Sequence, residues 1–362
     1  MNLLHLWLTD FRNYTKAELE PPPDGLTVIR GQNGQGKTNL LEAVGWLAGL
    51  KSFRGAPREA LVRSGAASAV IRAEGERDSR RLLVEAETPL NGRDRVLVNR
   101  QPLKRSRDLL GAFRVTVFSP EDLELVQGGP AGRRELLDDT LIALEPARHD
   151  ALQTTVERVL RQRNTLLRQS GGRGDSEVLA TLDVWDAQLA KAGTELAAER
   201  TVLSSRLEPE VRSAYLGIAG GEADGGVVTV AYRVSWEGEL ADALAAARKE
   251  DLRRGHTTVG PHRDELELTL DGMPARTHAS QGEQRSLALA LRLAAHRLVR
   301  DRTGSSPVLL LDDVFSELDS ERCAALFRIL PPGQALLTTA AEPPDVAHAD
   351  LVVTVRDGTL VG

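Results

Sequence analysis

A glycine-rich stretch beginning at Gly31 has the residue types and the spacing of a phosphate-binding loop. It reads Gly-Gln-Asn-Gly-Gln-Gly-Lys-Thr, which fits the pattern G-x-x-x-x-G-K-[ST]. The apolar run 26–29 predicts a strand before the loop, and residues 38–50 predict a helix after it. In that setting backbone N–H groups and the helix dipole bind phosphate, Lys37 reaches the β- and γ-phosphates, and Thr38 ligates Mg²⁺. The residues predicted to contact ATP here are Gly31, Asn33, Gly34, Gly36, Lys37, Thr38 and Asn39.

An acidic pair, Asp312 and Asp313, follows the apolar run 308–311. The run predicts a buried strand that ends beside the glycine-rich loop. We expect Asp312 to hold Mg²⁺, directly or through water, and Asp313 to act as a general base towards the attacking water. Two acids after a strand are a weak signal alone. Together with the loop they predict an ATP-hydrolysing site in which Lys37, Asp312 and Asp313 are the catalytic residues.

Ser280, Gln281 and Gly282 stand just before a stretch rich in leucine and alanine that predicts a helix. Serine and glycine at a helix N-terminus form an anion-binding end, and the motif resembles the signature motif of ATP-binding-cassette ATPases. In those ATPases the motif contacts the γ-phosphate bound to the other subunit. Ser280 and Glu283 also match a capping box, which begins a helix without any ligand, and both interpretations are compatible. The hypothesis that follows is a homodimer with ATP at its interface.

Several stretches beyond this ATPase core resemble the RecF family of bacterial recombination-repair ATPases, which are related to the SMC proteins. The resemblance spans nearly the whole chain, and it is most specific where Gly-Pro-His-Arg-Asp is followed closely by Ser-Gln-Gly-Glu-Gln. The matching stretches are Phe11-Arg-Asn-Tyr, Lys51-Ser-Phe-Arg, Phe118-Ser-Pro-Glu-Asp-Leu, Gly132-Arg-Arg-Glu-Leu-Leu-Asp, Gly260-Pro-His-Arg-Asp-Glu and Leu311-Asp-Asp-Val-Phe-Ser-Glu-Leu-Asp.

The resemblance implies an ATP-dependent DNA-binding protein of recombinational repair. Such a protein binds ATP and Mg²⁺, homodimerises with ATP at the interface, and clamps duplex DNA near single-strand gaps. With RecO and RecR it helps to load the RecA recombinase. A weak DNA-stimulated ATPase activity, in which slow hydrolysis drives release, and a cytoplasmic location belong to the same expectation.

Two positions depart from the pattern of cassette ATPases. Asp313 stands where transporters carry glutamate, which predicts slow hydrolysis, and the predicted strand 335–339 ends without the histidine that often contacts the γ-phosphate. Thr338 or Thr339 would have to substitute for that histidine, and no glutamine is assigned as the Mg²⁺ sensor. Three alternatives stay open: a transporter's nucleotide-binding subunit, a P-loop ATPase that does not act on DNA, and an SMC-like clamp that barely hydrolyses ATP.

The composition is that of an ordinary soluble globular protein, with 41% hydrophobic and 27% charged residues among 362. A net charge of −6 excludes a uniformly basic nucleic-acid binder but not a locally basic face. A single cysteine excludes an internal disulfide and fits a reducing cytoplasm, and no apolar run is long enough for a membrane helix. The candidate DNA-contacting residues are Arg54, Lys104, Arg105, Arg107, Arg133 and Arg134.

The predicted fold class is α/β: an ATP-binding-cassette ATPase head, with a parallel core and an antiparallel β-subdomain, and an inserted helical arm. Leucines at positions 182, 189, 196 and 203 recur every seven residues and predict one face of a long helix. A glycine turn near residue 171 precedes that helix, so we expect an antiparallel pair of helices. The predicted segments are the first half of the head with the loop (1–125), the arm (126–250) and the second half of the head with the signature and the acidic pair (251–362).

Overall fold

The computed structural model describes residues 1–219, 226–340 and 347–361, apart from the side chains of Ser106, Ser316 and Glu317. The chain divides into two compact units. The first unit comprises Met1–Leu123, Glu210–Gly226 and Ser280–Gly362, and the second comprises Glu124–Pro209 and Val227–Ala279.

Strands and helices alternate in the first unit, and helices dominate the second. The strands of the described residues are β1 (Asn2–Phe11), β2 (Tyr14–Leu19), β3 (Gly25–Arg30), β4 (Ser68–Arg77), β5 (Arg80–Pro89), β6 (Arg95–Val98), β7 (Gln101–Pro102), β8 (Val115–Phe118), β9 (Val228–Arg233), β10 (Glu265–Leu270), β11 (Met273–Pro274), β12 (Val308–Asp312), β13 (Gln334–Thr339), β14 (Leu351–Arg356) and β15 (Thr359–Val361). The helices are α1 (Lys37–Gly49), α2 (Glu124–Gln127), α3 (Pro130–Leu144), α4 (Pro146–Gln169), α5 (Ser176–Ala219), α6 (Leu240–Arg254), α7 (Ala275–His278), α8 (Gln281–Thr303) and α9 (Ser320–Ile329).

A mostly parallel sheet with the strand order β15-β14-β3-β13-β12-β8 lies in the first unit. All five residues of β12 and all six of β13 are buried, as expected for parallel strands covered on both faces. β3 and β12 both pair with β13 in parallel. The carboxyl ends of β3 and β12 therefore emerge at one edge of the sheet, which brings the glycine-rich loop close to the acidic pair.

A second sheet of the first unit is antiparallel, with the order β2-β1-β4-β5-β6-β7. Buried and partly exposed residues alternate along β4, because one face of the sheet packs on the core and the other faces water. The parallel core, the antiparallel subdomain and the helical insertion confirm the predicted fold class.

The predicted heptad face in the second unit is confirmed. All four leucines of the series are buried along α5. Helix α4 runs antiparallel to α5, since Arg148 pairs with Glu199 and Arg163 pairs with Asp186 at 2.6 Å. No helix within 1–219, 226–340 or 347–361 is long and apolar enough to cross a membrane.

The compact units divide the chain differently from the predicted segment boundaries at 125 and 250. Strand β10 pairs with β9 over six residues, so residues 251–279 stay with the helical unit rather than with the second half of the head. In the opposite sense, the end of α5 from Glu210 onwards belongs to the first unit. Long-range strand pairing of this kind leaves no local mark in the sequence.

Candidate nucleotide site

The glycine-rich loop connects β3 to α1, as predicted. Gly36 has a φ of 111° and precedes the first turn of α1, where no side chain caps the helix and no acid is present. The first N–H groups of the helix and the positive end of its dipole are therefore free to face an anion. A Cβ atom on Gly36 would lie 2.6 Å from the side-chain amide of Asn13, so glycine is required there for close packing as well as for its φ angle.

Lys37 lies over the loop and is almost fully buried. Its Nζ donates hydrogen bonds to the carbonyl oxygens of Gly31 at 2.8 Å and Gln32 at 3.0 Å. Burial lowers the pKa of the Lys37 ammonium, and nearby Asp313 and Asp312 oppose that shift. The lysine is thus a cation with little water around it, placed between the loop and the acidic pair, which is where a phosphate group gains most from a positive charge.

The loop and the acidic pair meet directly. Thr38 Oγ1 donates to Asp312 Oδ1 at 2.8 Å, and Thr338 Oγ1 donates to the same oxygen at 2.6 Å. Burial raises the pKa of Asp312, while the two hydroxyl bonds hold it lower. A hydroxyl and a carboxylate at this separation are the hard oxygen donors that Mg²⁺ binds.

Asp313 follows β12 in the left-handed region, with a φ of 47°. Its N–H donates to the Thr338 carbonyl oxygen at 3.2 Å and to Thr338 Oγ1 at 3.0 Å. One threonine therefore contacts both acids, which the sequence did not reveal. Its hydroxyl is engaged in holding the acidic pair, whereas the buried Thr339 donates no hydroxyl bond to either acid and accepts at its carbonyl from Gly31 N at 3.3 Å.

The signature residues lie at the start of α8 in the first unit. Ser280 Oγ accepts from Glu283 N at 3.3 Å and Glu283 Oε2 accepts from Ser280 N at 2.6 Å, so the predicted capping box is present. A Cβ on Gly282 would lie 2.6 Å from the guanidinium of Arg322, which in turn pairs with Asp319 at 3.0 Å. The signature and the segment after the acidic pair are thus in contact, although the side chains of Ser316 and Glu317 lie outside the described residues.

The Phe118-Ser-Pro-Glu-Asp-Leu stretch lies beside the acidic pair because β8 is the parallel neighbour of β12. Asp122 is buried and accepts from Arg292 of α8 at 2.7 and 2.9 Å. A pocket of about 350 Å³ is bordered by Ser119, by Arg285 of α8 and by Asp313. Three stretches that sequence analysis associated with one another therefore border one pocket next to Asp313.

The comparisons with known proteins agree with this geometry. Residues 2–357 match the model of the RecF/RecN/SMC N-terminal domain family. The chain is 47% identical to the DNA replication and repair protein RecF of Frankia alni, covering 96% of this chain and 95% of that one. It is 46% identical to the RecF protein of Streptomyces avermitilis, covering 99% of each.

The chain belongs to the RecF family. RecF proteins are of the SMC-like cassette ATPase class, which removes the transporter subunit from the open alternatives. A solved structure described as the recombination mediator protein RecF-ATP in the RecFOR pathway is 30% identical, with a TM-score of 0.89 over 99% of this chain and 97% of that one. An SMC head bound to the C-terminal winged-helix domain of ScpA is 15% identical, with a TM-score of 0.59 over 99% and 96% of the two chains, and it supports the fold alone.

The candidate DNA-contacting residues of this RecF-family chain fall into two groups. Arg133 is buried and donates to both carboxylate oxygens of Glu265 at 2.8 and 2.9 Å, and also to backbone carbonyls. Arg134 is half-buried and donates to the Asp264 carbonyl oxygen at 2.6 Å. The prediction that Arg133 faces DNA is therefore wrong: its charge is used inside the second unit. The candidates that remain exposed are Arg54, Lys104, Arg105 and Arg107.

The Gly-Pro-His-Arg-Asp stretch is structural, as expected. Arg200 donates to both oxygens of Asp138 at 2.8 and 2.7 Å and to the Pro261 carbonyl oxygen at 2.8 Å. His262 Nε2 donates to the Thr257 carbonyl oxygen at 3.1 Å, and burial lowers the pKa of His262 to about 4. The imidazole is therefore neutral at physiological pH and belongs to the interior of the second unit.

Proposed function

We propose that this chain is an ATP-dependent DNA-binding protein of recombinational repair that acts as an ATP-closed homodimer. The observation that carries the proposal is the 2.8 Å contact between Thr38 of the glycine-rich loop and Asp312 of the acidic pair. It joins the two halves of an ATP-hydrolysing site in one chain. The signature motif at Ser280 then supplies the part that a second copy would contribute.

In this proposal the first copy holds ATP through the loop and the start of α1. The predicted contacts are those of Gly31, Asn33, Gly34, Gly36, Lys37, Thr38 and Asn39. Thr38 and Asp312 would hold Mg²⁺, and the chemistry of the two oxygens fits that ion. When bound, the ion neutralises charge on the phosphates.

The second copy closes the site with the N-terminus of its α8. Ser280, Gln281 and Gly282 supply a hydroxyl and helix N–H groups that suit a γ-phosphate. Hydrolysis proceeds by attack of water on the γ-phosphorus, and Asp313 takes the proton of that water. Loss of the bridging phosphate separates the two copies, so turnover releases the dimer from DNA.

The DNA part of the proposal is supported by the family and by the solved relative of the RecFOR pathway. We propose duplex DNA beside single-strand gaps as the ligand, RecR together with RecO as partners, and loading of RecA as the outcome, in the cytoplasm. Contact through phosphates needs a few fixed cations rather than a basic chain. The exposed cations Arg54, Lys104, Arg105 and Arg107 are the candidates that the structure leaves for it.

Size measurement with and without Mg-ATP tests the dimer. Wild type should dimerise only with ATP, and Lys37→Met should not dimerise because it lacks the cation for the phosphates. Ser280→Arg should bind ATP yet stay monomeric. Ser176→Arg, at the exposed start of α5, is the matched control and should dimerise. A Ser280→Arg protein that dimerises as wild type does contradicts capping by the second copy.

DNA binding measured with ATP, with ADP and without nucleotide tests the clamp. We expect duplex and gapped DNA to be bound with ATP and released with ADP, and single-stranded DNA to be bound weakly. Binding that ignores the nucleotide would refute the clamp. Steady-state ATPase activity with and without duplex DNA separates a slow enzyme, stimulated by DNA, from the clamp that barely hydrolyses ATP.

A further inference from the structure

The second half of the glycine-rich loop, Gln35 and Gly36, is held from behind by the turn between β1 and β2. Asn13 Nδ2 donates to the Gln35 carbonyl oxygen at 2.9 Å. The hydroxyl of the fully buried Tyr14 donates to the Gly36 carbonyl oxygen, also at 2.9 Å. Asn39 Nδ2 donates to Asn13 Oδ1 at 2.9 Å, so the turn is also tied to the first turn of α1.

The turn between β14 and β15 holds the same peptide from the other end of the chain. Gly358 N donates to the Gln35 carbonyl oxygen at 3.2 Å, and Asp357 N donates to Gln35 Oε1 at 2.5 Å. Asp357 and Gly358 have φ angles of 44° and 70°, which suit a two-residue hairpin turn. A Cβ on Gly358 would collide with the Asn13 carbonyl oxygen, so the two turns also pack on each other.

These contacts control the direction of the N–H groups that a phosphate needs. A peptide unit is planar and trans, so the N–H of one residue points opposite to the carbonyl of the residue before it. Fixing the Gln35 carbonyl towards Asn13 and Gly358 therefore points the Gly36 N–H to the opposite side. Fixing the Gly36 carbonyl towards Tyr14 does the same for the Lys37 N–H.

We propose that the β14–β15 turn, acting with Asn13 and Tyr14, is a positioning element of the nucleotide site that pre-orients the loop N–H groups for phosphate. The inference rests on the proposed function, in that it requires the loop to bind ATP. None of these residues reaches the phosphate in this account. Gly358, Asn13 and Tyr14 act through the loop backbone, and β15 with its turn contributes to ATP affinity rather than to chemistry.

Gly358→Ala is the decisive variant, and the chain supplies a matched control. Gly272 is the second residue of an Asp-Gly hairpin turn between β10 and β11, with a φ of 74° against 70° for Gly358. An added Cβ on Gly272 meets nothing within 4 Å. Both alanine variants therefore carry a similar backbone strain, and only Gly358→Ala pushes on Asn13 and the loop.

The measurement is calorimetric titration of each full-length variant with Mg-ATPγS, with thermal unfolding recorded without nucleotide. We expect Gly358→Ala to raise the Kd about tenfold, as one lost loop contact does, and Gly272→Ala to leave the Kd within twofold of wild type. In ATPase assays the KM for ATP should rise for Gly358→Ala more than kcat falls. A folded Gly358→Ala protein with the wild-type Kd overturns the inference.

Tyr14→Phe keeps the inference testable if Gly358→Ala does not fold. It removes only the hydroxyl that holds the Gly36 carbonyl, and we expect a several-fold rise in the Kd for Mg-ATPγS. A wild-type Kd for Tyr14→Phe would then overturn the inference. Failure of the proposed function looks different: wild type itself would not bind the nucleotide, or Lys37→Met would bind it as wild type does.

Discussion

Thr338→Val should weaken the first unit and its nucleotide site, because one hydroxyl holds both acids. Valine has nearly the shape of threonine and suits a strand, so the change removes little except the hydroxyl. That hydroxyl is fully buried; it donates to Asp312 Oδ1 at 2.6 Å and accepts from Asp313 N at 3.0 Å. A hydrogen bond to a charged group contributes about 1.5–3 kcal/mol. Since Asp313 N keeps the Thr338 carbonyl at 3.2 Å, we expect a loss of about 2 kcal/mol in the free energy of unfolding.

Thr27→Val provides the matched control on the neighbouring strand β3. Thr27 is equally buried, and its hydroxyl has no hydrogen-bond partner among the described residues. Removing a buried, unsatisfied hydroxyl costs nothing in lost bonds, so Thr27→Val should leave the protein as stable as wild type or more stable, by up to about 1 kcal/mol. Denaturant unfolding at pH 7.5 measures both variants. Equal effects of the two substitutions would refute the role given to the Thr338 hydroxyl.

The Thr338→Val defect should also depend on pH. Burial raises the pKa of Asp312, and the Thr338 bond lowers it, so the variant carboxyl takes up a proton at a higher pH than the wild-type one. Wild type is therefore the more stable protein above that pH, and its advantage disappears as the pH falls through the two pKa values. A difference that stays constant down to the acid transition would mean that the bond does not stabilise the charged carboxylate.

Three further predictions separate buried charge from exposed charge. Arg163 is fully buried between Asp186 and Asp251 at 2.6 Å, so Arg163→Met should cost about 3 kcal/mol in chemical unfolding, whereas Arg161→Met, on the exposed side of α4, should cost under about 0.5 kcal/mol; equal costs would refute the account. Burial lowers the pKa of His262 to about 4, and the unfolded imidazole binds a proton more readily, so up to about 3 kcal/mol of stability should be lost as the pH falls from 6.5 towards 4, and a slope unchanged in His262→Gln would contradict this. Lys104→Ala with Arg107→Ala should lower duplex affinity and reduce the slope of log K against log salt by about one per phosphate contact, and an unchanged slope would remove this region from the DNA surface.

The nucleotide site was predictable where its chemistry is local in sequence. The loop, the strand before it and the helix after it are contiguous, so Gly31 to Thr38 could be assigned from spacing alone. The acidic pair was recognisable because a continuous apolar run is typical of a buried parallel strand. The capping box at Ser280 and Glu283 was also visible, since both of its members lie within one turn of one helix.

The features that could not be predicted depend on contacts between distant segments. Thr338 holds the acids because β13 pairs with β12 in one particular register, and that register is not written in either strand. Basic residues give no sign of burial either: Arg133 and Arg163 have the same charge as the exposed Lys104, yet both are paired with buried or half-buried carboxylates. The domain boundary near 250 was misplaced for the same reason, because only the pairing of β9 with β10 ties residues 251–279 to the helical unit.

The two helix N-termini of the proposed site differ in a way that orders the events of assembly. Helix α1 begins without a capping side chain and without an acid in its first turn, so its N–H groups are available to a phosphate from the start. Helix α8 begins with the reciprocal bonds of Ser280 and Glu283, and Arg322 lies against Gly282. A γ-phosphate must compete with these contacts to reach the signature. We therefore expect ATP to bind first to the loop of a single copy, and the second copy to close over it only once the phosphates are in place.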